Sequence, residues 1–252
     1  MKQGTYLLCV SVAAILLGCA TARSAHANQN PAFARANQDY GEGHFQEAVD
    51  GYQSLVKSGQ WNANLFYNLG NAWFRLGDFG EAILNYERAL TLDPHHPEAA
   101  ANLVLVRDEA RALELKRNGL ERYIEAGTST QYSIAASIAF WFVLFGAARL
   151  FFLRRRSLII VSLIVFAAVV FAGAIFALYS LETGSKGRAL AIVTGKKIEA
   201  RLATADNSNS VLALPPGSEI KVLSQRGDWL YAELPNDLRG WIPANGAQRV
   251  RM

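Results

Sequence analysis

The run Asn62–Pro97, NANLFYNLGNAWFRLGDFGEAILNYERALTLDPHHP, decides how this chain is read. Sliding the sequence by 34 residues brings an upstream copy into register with it. Asn37 falls on Asn71, Tyr40 on Phe74, Gly43 on Gly77, Phe45 on Phe79, Glu47 on Glu81, Ala48 on Ala82 and Tyr52 on Tyr86. An isolated helical hairpin has no reason to hold seven positions at one constant offset, whereas a stack of helix pairs does. The residue types suit such a stack. Gly70 and Ala82 are small where the two helices of a pair cross, and Tyr86 and Ala89 face the next repeat. Gly77-Asp78 ends the first helix and opens the turn. Pro94 stops the second, because proline disfavours helix at the residue before it.

Leu69-Gly70, Trp73-Phe74, Gly77-Asp78-Phe79, Glu81-Ala82, Tyr86, Ala89 and Asp93-Pro94 together resemble the tetratricopeptide repeat. The expected α-helical repeat domain covers 28–126, with repeats at about 30–63 and 63–96 and a capping helix at 97–120. The first copy is degenerate: Asp39 stands where the second has Trp73. The cap is read from Ala100, Leu103, Val106, Ala110 and Leu113, spaced as one helix face. About three repeats are usually needed for stability, so a partner or self-association is expected to help this short array. The resemblance implies that the first helix of each pair lines a groove for an extended peptide or a partner helix. Carried over by position, the groove shows Asn37 and Tyr40, then Tyr67, Asn68, Asn71, Phe74 and Arg75. Asparagine bonds both peptide N–H and C=O, and Arg75 suits a carboxylate. The alternative, that asparagine is simply the family's default there, stays open.

The 252 residues are 51% hydrophobic with net charge +4, and the apolar sequence is segregated into blocks. Residues 1–27 read as a signal peptide: Lys2 is a short positive start, and Tyr6–Leu17 is an apolar run too short to span a bilayer. Two processing sites compete. Ala25-His26-Ala27 is an A-x-A cleavage site, whereas Leu16-Leu17-Gly18-Cys19 resembles a lipobox in which Cys19 would be lipidated. The first is preferred, since a lipid adds little to a chain already carrying two spanning segments. Cys9 and Cys19 are the two cysteines, both in this block, which excludes a disulfide framework or a cysteine metal site in the mature chain.

Two apolar segments follow, 132–153 and 158–181, each long enough for the ~20 residues a transmembrane helix needs. Between them, 154–157 is Arg154-Arg155-Arg156-Ser157, a turn that the positive-inside rule makes cytoplasmic. Arg149 is placed to snorkel to the same side. Gly173 and Ala177, four apart, suit packing of the two helices. An exported N-terminus and a cytoplasmic turn both put the repeats and the C-terminal segment outside.

Residues 187–252 change to short β runs: Ala189–Val193, Leu212–Leu214, Ile220–Val222, Asp228–Leu234 and Arg239–Ile242. Pro216-Gly217, Gly227-Asp228-Trp229 and Arg239-Gly240-Trp241-Ile242 resemble the bacterial SH3-like domain, a small all-β barrel. The family's Leu-Arg-x-x-Pro pattern is reduced to Ala200-Arg201-Leu202 without the proline, which weakens any carry-over of its ligand surface. Trp229 and Trp241 are read as core, because small barrels need large buried aromatics, with an SH3-like ligand surface as the alternative.

Catalytic and cofactor patterns are missing. His95-His96 lack a third ligand at sensible spacing and read as exposed turn residues. The sequence holds neither a nucleophile elbow nor a P-loop or dinucleotide fingerprint. No basic stripe interleaves with aromatics, which excludes nucleic acid as the expected partner. The chain is therefore expected to be a non-enzyme without cofactor or metal. The order of signal, repeats, two spanning helices and SH3-like tail resembles the BatE family of the bacterial aerotolerance (Bat) operon. That resemblance implies a non-enzymatic inner-membrane component; with the topology read above, the expectation is a two-pass scaffold with both domains periplasmic. Its implied partners are Bat proteins with von Willebrand factor A domains and a MoxR-type ATPase. The alternative is a cell-wall sensor or anchor whose SH3-like tail binds peptidoglycan.

Overall fold

The computed structural model describes residues 30–153 and 158–252. The signal peptide, Cys19 and the tri-arginine turn lie outside the described residues.

Five helices form the array: α1 (Pro31–Gly41), α2 (Phe45–Lys57), α3 (Ala63–Arg75), α4 (Phe79–Leu92) and α5 (Pro97–Ala110). The 34-residue offset is visible in their boundaries. Gly43 and Gly77 take φ of +86° and +75° in the two interhelical turns, a conformation costly for residues with a Cβ. Side chains cap the helix starts: Asn62 Oδ1 accepts from the Leu65 N–H at 2.8 Å, and Asp78 Oδ1 from the Glu81 N–H at 3.2 Å. A Cβ on Gly70 would sit 2.8 Å from the Tyr86 ring, so glycine permits the α3–α4 crossing. Leu65, Leu69 and Ala72 of α3 join Ala36, Ala48, Val49 and Tyr52 in one core, and Leu103 and Val106 of α5 join Ile83 and Tyr86 in the next.

Helix α5 is shorter than the expected cap at 97–120. It ends at Ala110, because Arg111 turns left-handed at φ 51°. The following chain is claimed by the C-terminal sheet. Leu113 N–H donates to Ser218 Oγ at 3.1 Å, and the Glu219 N–H donates to the Leu113 carbonyl at 2.8 Å. A short helix, α6 (Gly119–Glu125), then leads to the hairpin and starts with a capping box between Asn118 and Glu121. His96 is also not the exposed turn residue expected. It is 8% exposed, caps α5 by accepting from the Ala99 N–H, and lies 3.2 Å from Asn64.

Helices α7 (Ser129–Leu153) and α8 (Leu158–Thr183) pair as a hairpin, and both are long and apolar enough to cross a membrane. Ala136, Ala139, Ala167, Ala174 and Ala177 are buried, and a Cβ on Gly146 would sit 2.6 Å from Ile164. Gly173 instead faces open space, so alanines and Gly146 allow the close approach. Phe142, Phe145, Phe166 and Val169 point outward, more than half exposed.

The tail is a seven-stranded antiparallel sheet in the order β3-β2-β6-β5-β4-β1-β7. Its strands are β1 (Leu190–Val193), β2 (Ile198–Arg201), β3 (Ser210–Leu214), β4 (Glu219–Arg226), β5 (Trp229–Glu233), β6 (Arg239–Pro243) and β7 (Ala247–Arg249). Each strand adds a residue to one aliphatic core, including Val193, Ala200, Leu214, Ile220, Leu230, Ile242 and Ala247. The sheet curls around that core without closing: β3 and β7 are its edges. The expected barrel is thus found as an open sheet. The expectation that Trp229 and Trp241 are core is corrected as well. Along β5, Leu230 and Ala232 face inward, so Trp229 and Tyr231 face outward, half-buried. Tyr231 pairs in register with Trp241, ring centroids 5.0 Å apart, on that same outer face.

Candidate protein-binding site

Asparagines of the helix pairs meet tyrosines. The Tyr52 hydroxyl donates to Asn37 Oδ1 at 2.7 Å, and Asn68 Nδ2 donates to the same oxygen at 2.9 Å. One repeat later, the Tyr86 hydroxyl donates to Asn71 Oδ1 at 2.7 Å and Asn102 Nδ2 donates to it at 3.0 Å. Each joint ties both helices of a repeat to the first helix of the next. Both carbonyl oxygens thus already accept two protein donors, leaving the Nδ2 amides as their free hydrogen-bonding groups. Burial pushes the Tyr52 hydroxyl up to about 12 and raises that of Tyr86 as well.

Tyr40 and Phe74 repeat in the same way. Tyr40 lies edge-on to Phe45, centroids 5.4 Å apart, and Phe74 lies 5.9 Å from Phe79. Each pair clasps the turn between its two helices. Arg75 is exposed, with its guanidinium 4.4 Å above the Phe45 ring, bridging the turns of successive repeats.

The seven residues carried over as a groove therefore separate. Asn37, Asn68 and Asn71 sit in the joints. Tyr40, Phe74 and Arg75 gather at the turn end. Tyr67 stands beside Asn68 at the other end, its ring centroid 4.9 Å from that of His96. There Phe33, Asn64, Tyr67, Asn68, Asp93, His96, Pro97 and Glu98 line an open cleft of about 490 Å³. Only Tyr67 and Asn68 of these were carried over. The missed residues had a signal in the period: Phe33 lies 34 positions before Tyr67, and Asn64 lies 34 before Glu98. The cleft offers amides, aromatic rings and two carboxylates, groups able to bond and pack against a peptide. Among the described residues, no group of three or more His, Cys, Asp or Glu side chains is placed to hold a metal ion.

The outer face of the array is occupied by the tail. Leu190 and Ile192 of β1 and Val250 share a core with Ile83 and Leu84 of α4 and Leu103 and Val106 of α5. A Cβ on Gly80 would meet Thr194 and the Val193 carbonyl at 3.0 Å, and Gly217, at φ +87°, lies against Ile83. At the centre, Glu219 is 1% exposed. It accepts from Arg107, from Arg117 at 3.1 and 3.2 Å, and from the Leu115 N–H at 3.1 Å. Arg107 also donates to buried Glu87 at 2.6 Å. The tail thus takes the back of the array and leaves the cleft open.

Residues 63–96 match the family model of the tetratricopeptide repeat. Comparison with curated proteins finds no match.

Proposed function

We propose that this chain is a non-enzymatic, membrane-tethered scaffold whose repeat array binds a protein partner through the cleft between α1, α3 and α5. The matched repeat supports protein–protein interaction as the role. The observation that carries the reading is the division of the array's surface: the tail fills the back, and the cleft lined by Tyr67 and Asn64 stays open. The outward phenylalanines of α7 and α8 support a bilayer around the hairpin. Residues of the array, the tail and the start of α7 line one cleft at the same end of α8, which supports both domains on one side of the membrane. With the signal peptide and the tri-arginine turn read from the sequence, that side is the periplasm of an inner membrane. The finer reading is a component of a Bat-type aerotolerance complex, with von Willebrand factor A domain proteins as partners and the tail as an SH3-like domain.

The test is photo-cross-linking in membranes from a photo-reactive phenylalanine derivative at Tyr67, with the same probe at exposed Lys57 as the control. Adducts to one or two membrane proteins with von Willebrand factor A domains are expected. Self-adducts alone, or none above the control, overturn the groove reading. A second reading, a cell-wall sensor or anchor, is favoured by the outward Trp229, Tyr231 and Trp241, aromatic faces suited to glycan strands. Sedimentation of the full chain with purified peptidoglycan, and its loss in Trp241→Ala, tests that reading.

A further inference from the structure

A second cleft, of about 820 Å³, opens between the array, the tail and the outer end of the hairpin. Its wall is divided by polarity. Leu178 and Tyr179 of α8 give it an apolar side continuous with the hairpin surface, while Glu125, Lys186, Arg188 and Arg251 bring charge from the other side. The cations are engaged with carboxylates that also line the cleft. Lys186 lies 3.6 Å from Glu87, Arg251 donates to Glu182 at 2.9 Å, and Arg188 pairs with Glu182. Glu182 thus serves two arginines, which leaves both with donors to spare. Glu125 has no ion-pair partner within 4.0 Å among the described residues. Its carboxyl is half-buried, and burial raises its pKa, opposed by the more distant Arg117 and Lys186.

We infer that this cleft binds one phospholipid whose headgroup carries a primary ammonium beside its phosphate. The phosphate meets Lys186, Arg188 and Arg251, the ammonium meets Glu125, and an acyl chain runs along Leu178 and Tyr179. The volume lies within the range of built ligand sites, about 300–1,000 Å³. A phosphate recruits spare guanidinium donors through charge-assisted bonds. An ammonium gives Glu125 the N–H donors it lacks, which a trimethylated choline does not carry. The inference rests on the hairpin lying in a bilayer, since only there does the cleft open onto lipid at headgroup height.

The test uses the full chain in nanodiscs of equal phosphatidylethanolamine and phosphatidylcholine, with lipid adducts read by native mass spectrometry. Retention of the chain in membranes through alkaline carbonate washing is measured first. Release by the wash overturns the membrane reading itself. With the chain retained, wild type is expected to carry one phosphatidylethanolamine at least fivefold more often than phosphatidylcholine. Glu125→Gln is expected to bring that ratio near one while keeping an adduct, and Arg188→Gln, at an exposed position, to lower both adducts together. Adducts that follow the lipid mixture in wild type, or none at all, overturn the inference whatever the variants do. Free ethanolamine phosphate, added as a competitor to 1 mM by design, is expected to leave the adduct in place, because the acyl chain contributes to binding; displacement assigns the site to a soluble phosphate ester instead.

Discussion

The Tyr86 hydroxyl donates to Asn71 Oδ1 at 2.7 Å, and this one bond turns a position suited to reading a ligand into a joint of the fold. Asn102 closes the joint from the next helix at 3.0 Å. Removing the acceptor strands a fully buried hydroxyl, and an unsatisfied buried polar group costs about 1–3 kcal/mol. Asn71→Ala is therefore expected to lower stability by that amount. Tyr86→Phe keeps the ring and the Asn71–Asn102 bond and is expected to cost about 1 kcal/mol. Urea denaturation of the chain in detergent micelles, followed by far-ultraviolet circular dichroism, checks the order of the two. Equal costs, or none for Asn71→Ala, would show that the joint is not holding the repeats together.

The joints were half legible in the sequence. The offset of 34 that pairs Asn37 with Asn71 also pairs Tyr52 with Tyr86 and Asn68 with Asn102, so periodicity alone flagged every member. It did not say that the members bond each other, because a repeat fixes equivalence between copies and not contact within one. The tail's docking left no local trace at all. Glu219 and Arg107 lie 112 positions apart, in segments without shared pattern, and only tertiary structure joins them. Trp229 and Trp241 misled for a related reason. Size argued for burial, but the strand alternation around Leu230 and Ile242 places the smaller aliphatic residues inside.

Glu219 is the acceptor at which array and tail are fastened. Glu219→Ala leaves the guanidiniums of Arg107 and Arg117, little exposed, without that carboxylate, and breaking a buried ion pair from one side costs about 3–5 kcal/mol. The variant is expected to loosen both sides of the seam together. Hydrogen exchange should rise in α5 and β4 by at least tenfold, while α1 and α2 keep their protection, since their core is separate. Exchange that rises in β4 alone would mean that the tail does not lean on the array.

Alkaline pH should reach the joints through the tyrosines. Burial raises the Tyr52 hydroxyl from 10.0 to about 12, and Tyr86 moves in the same direction. A folded pKa above the unfolded one contributes stability that is complete below pH 10 and is lost as pH rises through the folded value. The unfolded chain releases these protons first, so stability should fall between pH 10 and 12 by about 1.4 kcal/mol per pH unit for each such tyrosine. Urea midpoints at pH 9 and pH 11, compared between wild type and Tyr52→Phe, read this directly. The variant should lose less on going to the higher pH. An identical loss in both would assign alkaline unfolding to other groups.

The open cleft makes a prediction that the joints do not. Asn64 is exposed at its rim, and a bulky side chain there obstructs the space between Tyr67 and Glu98 without entering the core. Asn64→Trp is expected to reduce cross-linking of the partner from position 67 by at least tenfold. Arg75 lies at the opposite, turn end of the same helix, exposed above Phe45. An exposed charge contributes about 0.2–1 kcal/mol to a contact, so Arg75→Glu should reduce adduct yield by no more than about fivefold. Both variants leave the asparagine joints intact, but Asn64→Trp removes the oxygen beside the buried His96 ring and Arg75→Glu the cation over Phe45, so each should cost no more than about 1 kcal/mol of stability. If Arg75→Glu removes the adduct while Asn64→Trp spares it, the partner seats against the interhelical turns, and Tyr40, Phe74 and Arg75 rather than Tyr67 form its contact.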